Sequence, residues 1–228
     1  MPLKIAALLA AGTLTLASAA SSAADGVVLI DQSTVMAGGG FPFKITEPGS
    51  YQLKGNLVVT AADSAITIGA GNVTLDLNGF SITGPGAGVG LSGVANLGAL
   101  TAVSVRNGTI SGFSYGINFG GSGSAKSMVT GAIVQNVTVY GNGVGISTGP
   151  SSLVSGNVAT GNTADGILTN RYSNIAGNTV NSNGTVGIGT ECPSNLVGNI
   201  AVGNKENFAA PLTVITVPPC TFSGNNLP

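Results

Sequence analysis

Histidine and tryptophan are missing from the 228 residues, and charged side chains make up only 7% of them, against roughly 25% in an average globular protein. Without histidine the chain has neither the commonest general base nor the commonest metal ligand. Seven basic and eight acidic residues leave a net charge of −1, so no basic field is available for a nucleic-acid backbone or an anionic membrane surface. No uninterrupted apolar run reaches the roughly 18 to 20 residues of a membrane-spanning helix. What the chain does have is glycine, at 37 positions, and a hydrophobic fraction of 43%. That apolar content suits a packed core and not a disordered chain, and glycine without a three-residue period excludes collagen. Serine, threonine and asparagine together make up about a quarter to a third of the residues. Neutral polar groups must therefore face the water.

Lys4 precedes an apolar stretch from Ile5 to Leu16 that runs into small residues. Ala17-Ser18-Ala19 and Ser22-Ala23-Ala24 both place small side chains at the −3 and −1 positions of a signal-peptidase site. A cleaved leader over residues 1–24 is expected, with the cut before Asp25 preferred to one before Ala20, and with it a secreted, periplasmic or extracellular location. Export would carry Cys192 and Cys220 into an oxidising compartment, where two thiols pair. Closing that loop should stabilise the fold by roughly 3 to 4 kcal/mol in the chain-entropy model.

An internal repeat dominates the second half. Asn136, Asn157, Asn178 and Asn199 are spaced 21 apart, as are Asn162, Asn183 and Asn204. Gly145, Gly166 and Gly187 keep the same step, each followed by an isoleucine (Ile146, Ile167, Ile188) and, two places later, by Thr148, Thr169 and Thr190. Upstream the step widens to 29, through Asn78, Asn107 and Asn136, with the extra residues falling in a Gly/Ser stretch from Gly120 to Ser124. Leu75, Leu77 and Ile82 overlay Val103, Val105 and Ile110 at 28. Helical repeats are longer and richer in Ala, Leu, Glu and Lys, and leucine-rich repeats need several leucines per unit. Short β-rich segments punctuated by glycine and asparagine, three to a repeat, describe an all-β, right-handed parallel β-helix with coils of about 21–29 residues, each advancing the solenoid by one strand spacing.

Alternation predicts Ile146, Ile167 and Ile188 as an interior stack. The threonine column shares their parity, and Phe119 stands at its place one coil earlier, so that column should also face inward. Asparagine tolerates the left-handed backbone of a sharp corner, and amides stacked at one strand spacing can bond into a ladder. Open solenoid ends invite end-to-end pairing unless covered. Residues 25–56 lack the repeat and are expected to form an N-terminal cap, residues 57–207 the coils, and residues 208–228 a C-terminal cover pinned to the last coil by Cys192 and Cys220.

The segments ITEPGSYQLKGNLVV (Ile45 to Val59), SAITIGAGNVTLDLNGFSITG (Ser64 to Gly84) and VRNGTISGF (Val105 to Phe113) resemble the opening of bacterial secreted right-handed parallel β-helix repeat proteins. Coils built on S-x-x-x-G-N resemble the middle of that family. The likeness covers essentially the whole mature chain and implies the pectin lyase fold. It implies no activity, because most members have none assigned.

Pectinolytic β-helices cut acidic polysaccharides with clustered carboxylates plus Arg or Lys, often with calcium. The closest approach here is Asp76, pointing outward between Leu75 and Leu77, with Arg106 on the next coil. Asp165 and Glu206 lie two coils apart, roughly 10 Å along the axis, and one residue out of step in the coil frame. That is near the upper end of the separation in inverting glycosidases. Arg171 and Glu191 should meet as a surface ion pair worth about 0 to 1 kcal/mol. No calcium cage, other metal site or cofactor motif is visible. The reading is a non-catalytic exported β-helix, glycan-binding or structural, with a polysaccharide as partner and neither nucleic acid nor a membrane span. A lyase or hydrolase acting on an acidic glycan through those four residues is the alternative. Ice binding on a threonine face is set aside, because the one regular threonine column is expected to face inward.

Overall fold

The computed structural model describes residues 26–120, 127–209 and 219–226; the expected leader lies outside them. Every described strand pair is parallel, and the strands fall into two long sheets of fourteen and eight, with one further pair. The larger sheet is folded into two faces, so each coil has three. In one 21-residue coil these are Asn174–Ala176, Thr179–Asn181 and Val186–Thr190. In the wider coils Val103–Ser111 and Ile133–Tyr140 run unbroken through the corner between the first and second faces. The chain is a parallel β-helix.

Inward alternation builds the core. Leu75, Val105, Val134, Val154, Ile175 and Leu196 pair in succession down the first face and none is more than 1% exposed. Burying each such side chain contributes roughly 1.5 to 3 kcal/mol before chain entropy is counted. On the third face Ile117, Ile146, Ile167 and Ile188 stack as expected. The threonine column is also interior, with Thr148 and Thr190 buried and Thr169 donating to Thr190 at 2.7 Å.

Two asparagine ladders line the corners. In the first, Asn157, Asn178, Asn199 and Asn225 are linked in series. Each carbonyl Oδ1 accepts both the backbone N–H and the Nδ2–H of the asparagine one coil before, at 2.9–3.0 Å. The second ladder runs Asn142, Asn162, Asn183, Asn204 and ends on Asn207. The ladder explains the glycine column as well. A Cβ on Gly166 or Gly187 would come within 2.8 or 2.5 Å of the Asn183 or Asn204 amide nitrogen.

The structure corrects the sequence frame in three places. Val134 pairs with Val154, a step of 20 and not 21, so Asn136 stands one place before the first ladder and is exposed. Left-handed backbone belongs to Asn78, Asn107 and Asn136 in the wide coils, and to Gly156, Gly177 and Gly198, not to the ladder asparagines, in the narrow ones. Leu75 pairs with Val105, a step of 30, and only beyond the corner does Ile82 pair with Ile110 at 28. The wide coil absorbs the two-residue difference at Leu77–Phe80.

Rungs run into both terminal segments. Val28–Ile30 pairs with Gly49–Leu53, and between them the helix Gln32–Ala37 seats Val35 on the core. Asp31 caps that helix, accepting from the Ser33 hydroxyl and the Thr34 N–H, each at 2.7 Å, and from the Thr34 hydroxyl at 2.8 Å, and pairing with Lys54 at 3.1 Å; these bonds, that of Ser33 foremost, hold its carboxyl well below the usual range. At the other end Thr221–Ser223 pairs with Asn195–Val197, and the Phe222 ring meets Phe208 edge-on, centroids 6.4 Å apart. Cys192 and Cys220 are disulfide-bonded, their Cα atoms 4.9 Å apart, which ties this rung to the coil beneath. The second face begins at Leu57–Val58, whose open edge is closed by the Gln32 side chain. Its amide accepts the Val58 N–H at 2.9 Å and donates to the Val58 carbonyl at 3.1 Å. Asn226 does the same for Ala201 on the last strand, at 2.7 and 3.2 Å.

Candidate functional site

Strand pairing sets Asp76 directly opposite Arg106 on the outside of the first face. Arg106 Nε lies 3.0 Å from Asp76 Oδ2. The other acceptor positions are taken by Asn107 Nδ2, at 3.2 and 3.3 Å, and by the Asn78 N–H at 2.8 Å. A carboxylate holding these donors serves the corner between the wide coils. Its neighbours along the row are Gln52 below and, beyond Arg106, Gln135. The row therefore offers one acid, one base and neutral amides.

Asp165 and Glu206 meet a different fate. Val186 lies beside Asp165, its N–H bonded to Oδ1 at 3.0 Å, and pairs with Glu206. This last step is 20 residues, so the two acids share one column where the sequence frame set them a residue apart. They remain two rungs apart, roughly 10 Å. Asp165 also accepts the Thr185 hydroxyl, which leaves it bracing its own coil against the corner of the next, while Glu206 is exposed. Arg171 and Glu191 form the expected surface pair at 3.4 Å.

Among the described residues no three of His, Cys, Asp or Glu converge. No helix among them is long and apolar enough to cross a membrane. A cleft of about 520 Å³ opens between the N-terminal helix and the first rung of the second face, bordered by Gln32, Phe41, Asn56, Val58 and Asp63. Of the repeat tyrosines, Tyr115 is half-buried, Tyr140 is 48% exposed on the second face and Tyr172 is 63% exposed at a corner.

Sequence reasoning missed Gln32, Asn142, Asn207, Asn225 and Asn226. Asn142 precedes Asn162 by 20 residues and Asn225 follows Asn199 by 26, so a search at 21 passes over both. A family model described as "Periplasmic copper-binding protein (NosD)" matches residues 53–212. No curated protein and no solved structure matches the chain.

Proposed function

The chain belongs to the NosD family, and from that premise we propose that it is a non-catalytic β-helix that binds a glycan in the periplasm or at the cell exterior. The protein is an exported one: its family is periplasmic and its cysteines are joined. The observation carrying the proposal is the state of the acids. Asp76 and Asp165, the best-placed carboxylates, are both engaged by donors of neighbouring coils, whereas the outward rows between them carry neutral hydroxyls and amides, some of them bonded to one another across coils. Groups of that kind bind sugars by hydrogen bonding and cannot by themselves take or supply a catalytic proton near pH 7.

Copper, which the family description names, needs imidazole or soft sulfur ligands. The sequence has no histidine, both cysteines are in the disulfide, and the described methionines, Met36 and Met128, sit in the N-terminal helix and beside the strand Val129–Thr130. The donor set does not fit the metal. Titration with cuprous or cupric ion should leave the metal with a weak competing chelator, and stoichiometric binding would contradict this.

Incubation with pectate or alginate, with and without calcium, should release neither unsaturated nor reducing ends. Retention on a glycan matrix should persist in the same protein. The column of Asp165 and Glu206 favours one second reading, an inverting hydrolase; reducing ends that vanish in Glu206→Gln would establish it.

A further inference from the structure

The second face, built from Ser81–Thr83, Val103–Ser111, Ile133–Tyr140, Val158–Thr160, Thr179–Asn181 and Ile200–Val202, differs from the other two. Its inward column, Ile82, Ile110, Val139, Ala159 and Val180, is wholly buried. The residues on either side of that column must then point outward, because successive side chains of a strand alternate. One outward row contains Thr83, Ser111, Tyr140, Thr160 and Asn181, paired in unbroken register; Ser111 is buried, the Thr160 hydroxyl donates to the Asn181 amide oxygen, and Tyr140 is the exposed member of the five. The parallel row carries hydroxyls at Thr109, Thr138 and Thr179. Neither row contains a charged residue from Val58 to Val202. The first face by contrast carries Asp76 and Arg106, and the third Lys44, Asp165 and Glu206.

We propose that this face binds an extended, neutral polysaccharide laid along the helix axis, with Tyr140 as its stacking ring. The proposal rests on the glycan-binding reading above and names its face and its ligand class. Three features select the ligand. The rows hold no cation to balance a polyuronate, so an acidic glycan would lose its hydration without compensation. Hydroxyls recur at one strand spacing, about 4.8 Å, close to the advance per sugar of an extended pyranose chain, so successive rungs meet successive sugars. The half-exposed Tyr140 ring offers the apolar face with a polar tip that a sugar plane stacks on. Val58 starts the same row and also borders the cleft beside the N-terminal helix. Three rungs separate it from Tyr140, roughly 14 Å, which is room for about three sugars between the cleft and the ring.

The experiment is affinity electrophoresis and calorimetric titration of the mature protein against cellohexaose, xylohexaose, mannohexaose and hexagalacturonate, with the corresponding trimers. At least one neutral hexaose should bind, its trimer more weakly, and hexagalacturonate not at all. Tyr140→Ala should weaken binding about tenfold, the weight of one stacked ring, and Thr138→Arg should abolish it by planting a charged side chain in the row. Tyr172→Ala, off the face, should bind as the parent does, and circular dichroism should show all three variants folded. Neutral-glycan binding that survives both second-face variants would overturn the assignment of the face while leaving the glycan reading intact. Preference for hexagalacturonate would overturn the ligand class. Binding to none of the four would overturn the glycan reading itself.

Discussion

Asn178→Ala removes the middle of the first ladder. Asn178 Oδ1 accepts the Asn157 N–H and the Asn157 Nδ2–H, both at 3.0 Å, and its own Nδ2 donates to Asn199 Oδ1 and to the Val154 carbonyl, each at 2.9 Å. Alanine keeps the backbone N–H that Asn199 accepts. The two Asn157 donors are left facing a void, since Asn157 and Asn178 are each 1% exposed. An orphaned buried donor costs about 1 to 3 kcal/mol. Two of them, partly relieved where a water enters the small cavity, should cost about 2 to 4 kcal/mol. No backbone strain adds to this, because the left-handed residue at the corner is Gly177, φ 62°. Asn174→Ala is the control: its exposed side chain accepts one bond from Asn195 at 3.2 Å, and its loss should change stability by less than about 0.5 kcal/mol. The assay is guanidinium unfolding followed by far-ultraviolet circular dichroism, with the disulfide intact in all samples. Equal midpoint shifts at the two positions would refute the ladder as a stabilising device.

Thr148 heads the threonine column above Phe119, and among the described residues its buried hydroxyl has no hydrogen-bond partner. Thr148→Val should therefore be neutral or stabilise by up to about 1 kcal/mol in the same unfolding assay, while Thr169→Val, which breaks the bond to Thr190, should destabilise. Gln32→Leu uncovers the edge of Leu57–Val58 and should promote end-to-end association, read as a concentration-dependent mass by sedimentation; a monomer at all concentrations would show that the amide does not guard the edge. The carboxyl of Asp31 is depressed by its bonds to Ser33, Thr34 and Lys54, so its contribution is present above the ordinary carboxylate range and lost as pH falls through and below it. Acid should thus loosen the N-terminal helix before the coils, and Asp31→Asn should flatten that part of the pH profile.

Columns were legible wherever coil length stayed constant. Asn157, Asn178 and Asn199, or Ile146, Ile167 and Ile188, announce themselves because 21 residues separate equivalent rungs. Where the step changes to 20, 26 or 30, the same physics acts without a sequence period, and Asn142, Asn225 and the Leu75–Val105 pairing stay hidden. The second-face rows were illegible for a related reason. Thr109, Thr138 and Thr179 are stacked in space through Val158 but are spaced 29 and then 41 in sequence, so only the interior threonine column drew notice. Asp76 and Arg106 were placed on neighbouring coils by parity alone, yet their capture by Asn107 and Asn78 depends on the corner geometry and could not be read from spacing.

Stacking identical residues at one strand spacing explains why the chain is so poor in charge. Two like charges about 4.8 Å apart repel by about 3 kcal/mol at an effective dielectric of 20, so a carboxylate or ammonium cannot head a column. A side chain that repeats from coil to coil must complement itself. Asparagine does so by being donor and acceptor at once, threonine by its hydroxyl, isoleucine by dispersion alone. Charges are then confined to positions where the next coil differs, as at Asp76 opposite Arg106 or Asp165 beside Val186. The same constraint sets what the exterior can recognise. A surface made of repeating columns presents neutral hydroxyls, amides and an occasional ring, at the repeat of its own strands. Its natural complement is a ligand that is itself uncharged, linear and periodic.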